Sequence, residues 1–109
     1  MTTVSFHLEE SRITALEVKG HSGYAAEGED IVCAAVTSAV RLVECTINDV
    51  LGLGAAVKVT EKAAKLALYL PGGLSASADD TCQTVLTGLM VYLTELHEEY
   101  PDNITVLEV

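Results

Sequence analysis

From Ile31 onward the apolar residues of this 109-residue chain stop alternating and begin to recur at steps of three and four, and that change of period constrains the fold more than any other feature. Val32, Val36, Ala39, Val40, Val43, Ile47, Val50 and Leu51 fall on one helical stripe. Asp30 is placed to cap its start, and Gly52 and Gly54 suit its exit. Upstream, Val4, Phe6 and Leu8 alternate within Thr2 to Glu9, as a strand with one buried face does. After the polar break from Glu9 to Arg12, the β-rich run Ile13 to Val18 completes a hairpin.

The second half repeats the switch. Val57 and Val59 mark a third strand, and Leu66, Leu68 and Leu70 a fourth, stopped by Pro71-Gly72-Gly73. A second helix is expected from about Ser77, with Asp79 and Asp80 at the positive end of its dipole. Its stripe is Cys82, Val85, Leu86, Leu89, Leu93 and Leu96, and Pro101 limits it. Asn103 to Val109 reads as a fifth strand. The order β-β-α-β-β-α-β predicts an α+β, two-layer sandwich: a largely antiparallel five-stranded sheet with two helices on one face. Residues 1–109 form one domain, large enough to bury a core without staples.

Charge and cysteine usage narrow the function. Sixteen acids against six bases give a net charge of −10. That surface repels a phosphate backbone, so no direct nucleic-acid binding is expected, whereas a basic peptide is attracted. No continuous apolar run approaches the ~18 residues of a membrane span. Met1 to Glu10 lacks the pattern of a signal peptide. Cys33, Cys45 and Cys82 are odd in number and contain no C-x-x-C pair, which suits a reducing compartment. These features predict a cytoplasmic protein off the membrane. Neither His7 nor His97 has zinc spacing to a cysteine, and Gly20, Gly23 and Gly28 do not form a phosphate loop, so no metal or cofactor is expected.

The chemistry lies in Gly20-His21-Ser22-Gly23 followed by Asp30-Ile31-Val32-Cys33. With Asp30 as cap, Cys33 is the third helical residue, where unpartnered N–H groups favour a thiolate and could hold an oxyanion. His21 then serves as general acid and base, and Gly20, Gly23 and Gly28 as hinges of the loop that carries it. Glu27, Glu29 and Asp30 act in two directions: they oppose an isolated thiolate and favour a protonated His21. Spacing alone leaves a second reading open, a buried cysteine at a helix start and a surface histidine. Cys82 falls on the second helix's apolar stripe and reads as core, while Cys45 lies nearly opposite the first helix's stripe.

The stretch Gly20 to Val36, G-H-S-G-Y-A-A-E-G-E-D-I-V-C-A-A-V, resembles the signature of the ribosomal-processing cysteine proteases, the Prp family. The order of elements is similar over the whole chain. The resemblance implies a Cys–His dyad of Cys33 and His21 in a homodimeric endopeptidase. It implies a substrate as well: the N-terminal extension of the twenty-seventh protein of the large ribosomal subunit, cut beside an aromatic residue. Asp30 matches the family's acid. Thr37 stands where the family commonly has a serine, and Ser38 follows it, so Thr37 and Ser38 are the supporting hydroxyl candidates. The competing reading is a non-catalytic module that binds a basic ribosomal protein during assembly, with Cys33 as a packing residue.

Overall fold

A computed structural model describes residues 1–20 and 27–109, with side chains in the first helix from Ile31 on. The elements are β1 (Thr2–Glu9), β2 (Arg12–Lys19), α1 (Glu27–Cys45), a π-helical turn (Thr46–Val50), β3 (Ala56–Thr60), a 3-10 turn (Glu61–Ala63), β4 (Lys65–Tyr69), α2 (Ala76–Glu99) and β5 (Ile104–Glu108). The expected β-β-α-β-β-α-β order is borne out. The sheet order, which no sequence pattern supplied, is β3-β4-β2-β1-β5. Three pairings are antiparallel, and β1 with β5 is parallel. Connecting β4 to β5 therefore requires α2 to cross the sheet.

A bulge reconciles β2 with its burial. His7 faces Ala15 while Leu8 faces Ile13, so Thr14 is the extra residue, and its hydroxyl donates to the His7 carbonyl at 3.2 Å. The phase change lets Ile13, Leu16 and Val18 all bury their side chains despite their mixed parity. Phe6, Leu16, Leu68 and Ile104 are fully buried from the sheet, and they meet Val32, Val36, Val40, Ile47, Leu86 and Leu93 from the helices.

Two expectations are corrected. Helix α1 begins at Glu27, so Asp30 is a helical residue and does not cap it. A run containing Glu27, Glu29 and Asp30 suits a first helical turn, where the dipole favours acids. At the other end Val50 is exposed rather than on the stripe. The helix widens after Cys45, the Leu51 N–H bonding the Thr46 carbonyl at 2.9 Å, and the 3.6-residue phase is lost there. Ile31–Val50 is also apolar enough, at mean hydropathy 1.5, to span a membrane by length and composition, which a search for unbroken apolar runs overlooks. Its apolar stripe packs into the core, with Val32, Val36, Val40, Val43 and Ile47 at 6% exposure or less.

Helix α2 is anchored at its N-terminus. Ser75 caps it, accepting from the Ala78 N–H at 3.2 Å. About two turns on, Gln83 clamps the Ile13 backbone, accepting its N–H at 2.7 Å and donating to its carbonyl at 2.8 Å. Asp79 receives Arg12 Nε at 2.8 Å and the second guanidinium nitrogen at 2.6 Å. That hydrogen bond holds the Asp79 carboxyl below its usual range and raises Arg12. A group depressed on folding stabilises above its unfolded pKa, about 3.9 for Asp, and ceases to as pH falls through its folded value. Urea unfolding should therefore find Asp79→Asn less stable than wild type at pH 7, the gap closing steadily below about pH 4.

Candidate active site

The rotation of α1 decides what its remaining residues face. Each residue is turned ~100° from the last, so positions one beyond the buried stripe share a flank. Cys33, Thr37, Arg41 and Glu44 are those positions, and all four line one cleft of about 430 Å³ between α1 and the sheet. Its floor is apolar. Val18 pairs with Leu66 and Leu66 with Val59, a row across β2, β4 and β3, and Val57 lies beside it. Cys33 is half-buried there, and Thr37, one turn on, is exposed.

The structure brings Cys33 and Thr37 together but not Ser38. Ser38 lies on the opposite flank and lines a groove between the helices with Ala39, Leu42 and Tyr92. His21 and Gly23 lie outside the described residues, as does the side chain of Asp30. Gly28 is inside α1 rather than at a loop hinge. Cys33 is the seventh residue of α1, beyond the four N–H groups a helix leaves unpartnered. The expected activation of its sulfur by the helix start is thus corrected, because the dipole effect falls off within the first turn.

Gly20 does need its glycine. It has φ +92°, its N–H donates to the Ala64 carbonyl at 3.2 Å, and a Cβ there would sit 2.2 Å from the Met1 carbonyl oxygen. The chain therefore leaves β2 through a position where any residue with a Cβ is strained.

The other cysteines and the described histidines are placed elsewhere. Cys82 is fully buried, and burial followed by the Asp79 charge pushes its thiol up, which makes it a poor nucleophile. Cys45 is exposed, and no disulfide joins the three. His7 Nε2 is 3.9 Å from Glu17 on the open face of the sheet, and His97 Nδ1 meets the Ile104 carbonyl. The cleft residues missed in the sequence are Arg41, Glu44 and the apolar floor. The signal for the first two was present, since 33, 37, 41 and 44 are the stripe 32, 36, 40 and 43 advanced by one.

Residues 1–105 match the family model described as cysteine protease Prp. The chain belongs to that family. It is a cysteine protease of the ribosomal-processing Prp type. The ribosomal processing cysteine protease Prp of Bacillus subtilis is 28% identical over 94 residues, covering 86% of this chain and 84% of that one. Among solved structures, SMU.848 from Streptococcus mutans superposes with a TM-score of 0.87 at 21% identity, over 100% of this chain and 94% of that one. The essential ribosomal processing protease Prp from S. aureus, in complex with a substrate peptide, gives 0.80 at 21% identity over the whole of both chains. These two likenesses concern the fold. Of the three thiols, that of Cys33 stands half-buried on a cleft wall.

Gly20→Ala should lower stability by about 1–3 kcal/mol, the range for a residue forced into a sparse backbone region. Thermal unfolding checks the loss.

Proposed function

We propose that this chain cuts the N-terminal extension from the twenty-seventh large-subunit ribosomal protein, with Cys33 as nucleophile and His21 as general acid and base. The observation that carries the reading is a half-buried Cys33 on the wall of an apolar cleft, in a chain that matches the Prp family over residues 1–105. The Cys33 thiolate attacks the scissile carbonyl carbon, and the C–N bond breaks as protonated His21 gives its proton to the leaving nitrogen. The resulting thioester is attacked by water, whose proton His21 accepts. Release of the carboxylate restores the thiolate and the imidazolium. Thr37, sharing the cleft, supplies a hydroxyl one turn from the sulfur. Asp30 is assigned to orienting His21, because a helix that begins at Glu27 has no use for it as a cap.

The net charge of −10 favours capture of a basic tail, at a rate that falls with salt. The proposed setting is the cytoplasm. Peptides spanning the N-terminus of the host's own ribosomal protein should be cut at one bond by the purified chain, as read by mass spectrometry. Cys33→Ala should abolish the cut, and His21→Ala should slow it by roughly 10²–10⁴-fold. Cleavage surviving in Cys33→Ala would remove the nucleophile assignment. Binding without any cleavage by wild type would overturn the assignment of this substrate.

A homodimer belongs to the same proposal. Leu42, Val91 and Tyr92 are 68%, 52% and 44% exposed on the helical layer, apolar surface that a second copy would cover. Light scattering at tens of micromolar, roughly the range of a weak dimer, should return twice the 11.5 kDa chain mass. A value of one chain mass there counts against the assembly.

A further inference from the structure

The sheet ends at β3 on the side of the Cys33 cleft. Among the described residues β3 pairs with β4 only, so alternate backbone N–H and C=O groups along its other edge have no strand partner there. Four of its five residues are exposed, Val59 by 63%. Its pairing with β4 runs without a register shift, and it contains no proline, so neither a bulge nor a missing N–H blunts the edge. The opposite edge, β5, borders a different depression, beside Met90, Val91 and Glu95, and carries none of the cleft residues. Val57 and Val59 are the decisive pair. They are alternate residues of the open edge strand, and both line the cleft that holds Cys33 and Thr37.

We infer that the peptide substrate is held by strand addition: an extended segment pairs with the open edge of β3 as a sixth strand, beside the Cys33 cleft. The inference rests on Cys33 being the nucleophile, as proposed above. A strand added there lies ~4.8 Å from β3 and points alternate side chains to opposite faces. Those on the helix side turn over Val57 and Val59 into the apolar cleft, while those on the other side face the open sheet surface beside Lys58. Main-chain hydrogen bonds then supply affinity that tolerates sequence, and every second side chain supplies selectivity for apolar groups. The occupant is an unstructured tail, because only a chain with unpaired backbone can complete the ladder. This edge would thereby restrict cleavage to extensions and spare folded segments.

The test uses a peptide cut by wild type, bound to the full-length Cys33→Ala variant. Amide exchange read by NMR should show alternate amides within residues 56–60 gaining protection, with β5 unchanged. In parallel, peptides N-methylated at one backbone nitrogen each are given to wild type. Loss of a hydrogen bond to β3 should lower kcat/KM about tenfold at every second position and leave the intervening ones unaffected. Cleavage that ignores N-methylation, or protection that appears elsewhere while β3 is unchanged, overturns strand addition and leaves the protease reading standing. Protection of β3 that rises with protein concentration before peptide is added assigns the edge to a second copy, and also overturns it. A wild-type chain that cuts none of the peptides overturns the proposed function and this inference together.

Discussion

Val32, Val36, Val40, Val43 and Ile47 can leave water together only if α1 is turned one way on the sheet. Burying each such side chain contributes about 1.5–3 kcal/mol, so a misrotation exposing all five would cost on the order of 10 kcal/mol. That is comparable to the whole stability of a domain this size. The rotation is therefore not free to vary, and two flanks inherit their roles from it. One flank faces β3 and β4 and forms the cleft with Cys33; the other faces α2 and forms the groove with Ser38 and Leu42. The position of the thiol is a by-product of core packing, which fixes it more firmly than any local contact could.

The second helix is registered differently. Polar contacts set it: Gln83 reproduces a strand's pair of hydrogen bonds on Ile13, and Asp79 takes Arg12 in two contacts. These hold the start of α2 to the start of β2, while Leu86, Leu89, Leu93 and Leu96 bury its length. The far end delivers the chain to β5, which lies parallel to β1. Because β1 and β2 sit between β5 and β4, the crossover leaves β3 as an edge on the cleft side. Sheet order thus determines that the Cys33 cleft adjoins an edge strand unpaired among the described residues.

Much of this was legible in the residues, and the failures have physical causes. Period two at Val4, Phe6 and Leu8 and period 3.6 from Val32 to Ile47 report burial directly, so element type and order could be read. Strand order could not, since pairing between β1 and β5 depends on contacts a hundred residues apart that leave no local pattern. The start of α1 was misplaced because Asp30 is a good cap by residue type, yet a helix can continue through it when the preceding residues also accept helical geometry. Val50 fails for the complementary reason: a π turn changes the residue-to-angle relation that the stripe assumes. Within the candidate site, the family resemblance named Thr37 beside Cys33, and the two share a cleft because they are one turn apart. Ser38 was grouped with them by sequence adjacency, which on a helix means a different face.

The longer α1 also shifts where the proposed chemistry must find its driving force. A thiolate in the first turn can draw on the helix dipole and on orphan N–H groups, but the seventh helical residue has neither close by. A half-buried sulfur above Val18, Leu66 and Val59 is further deprived of water that would solvate its charge. Both changes act against an isolated thiolate. Under the proposed dyad, the compensating positive charge is the imidazolium of His21, the form that the acidic sequence Glu27 to Asp30 is expected to favour. In that proposal the acidic run, unfavourable to an isolated thiolate, favours a Cys–His ion pair. In the proposed dyad, activation would be carried by a charge pair rather than by the helix, with His21 following directly in sequence on Gly20, whose positive φ ends β2.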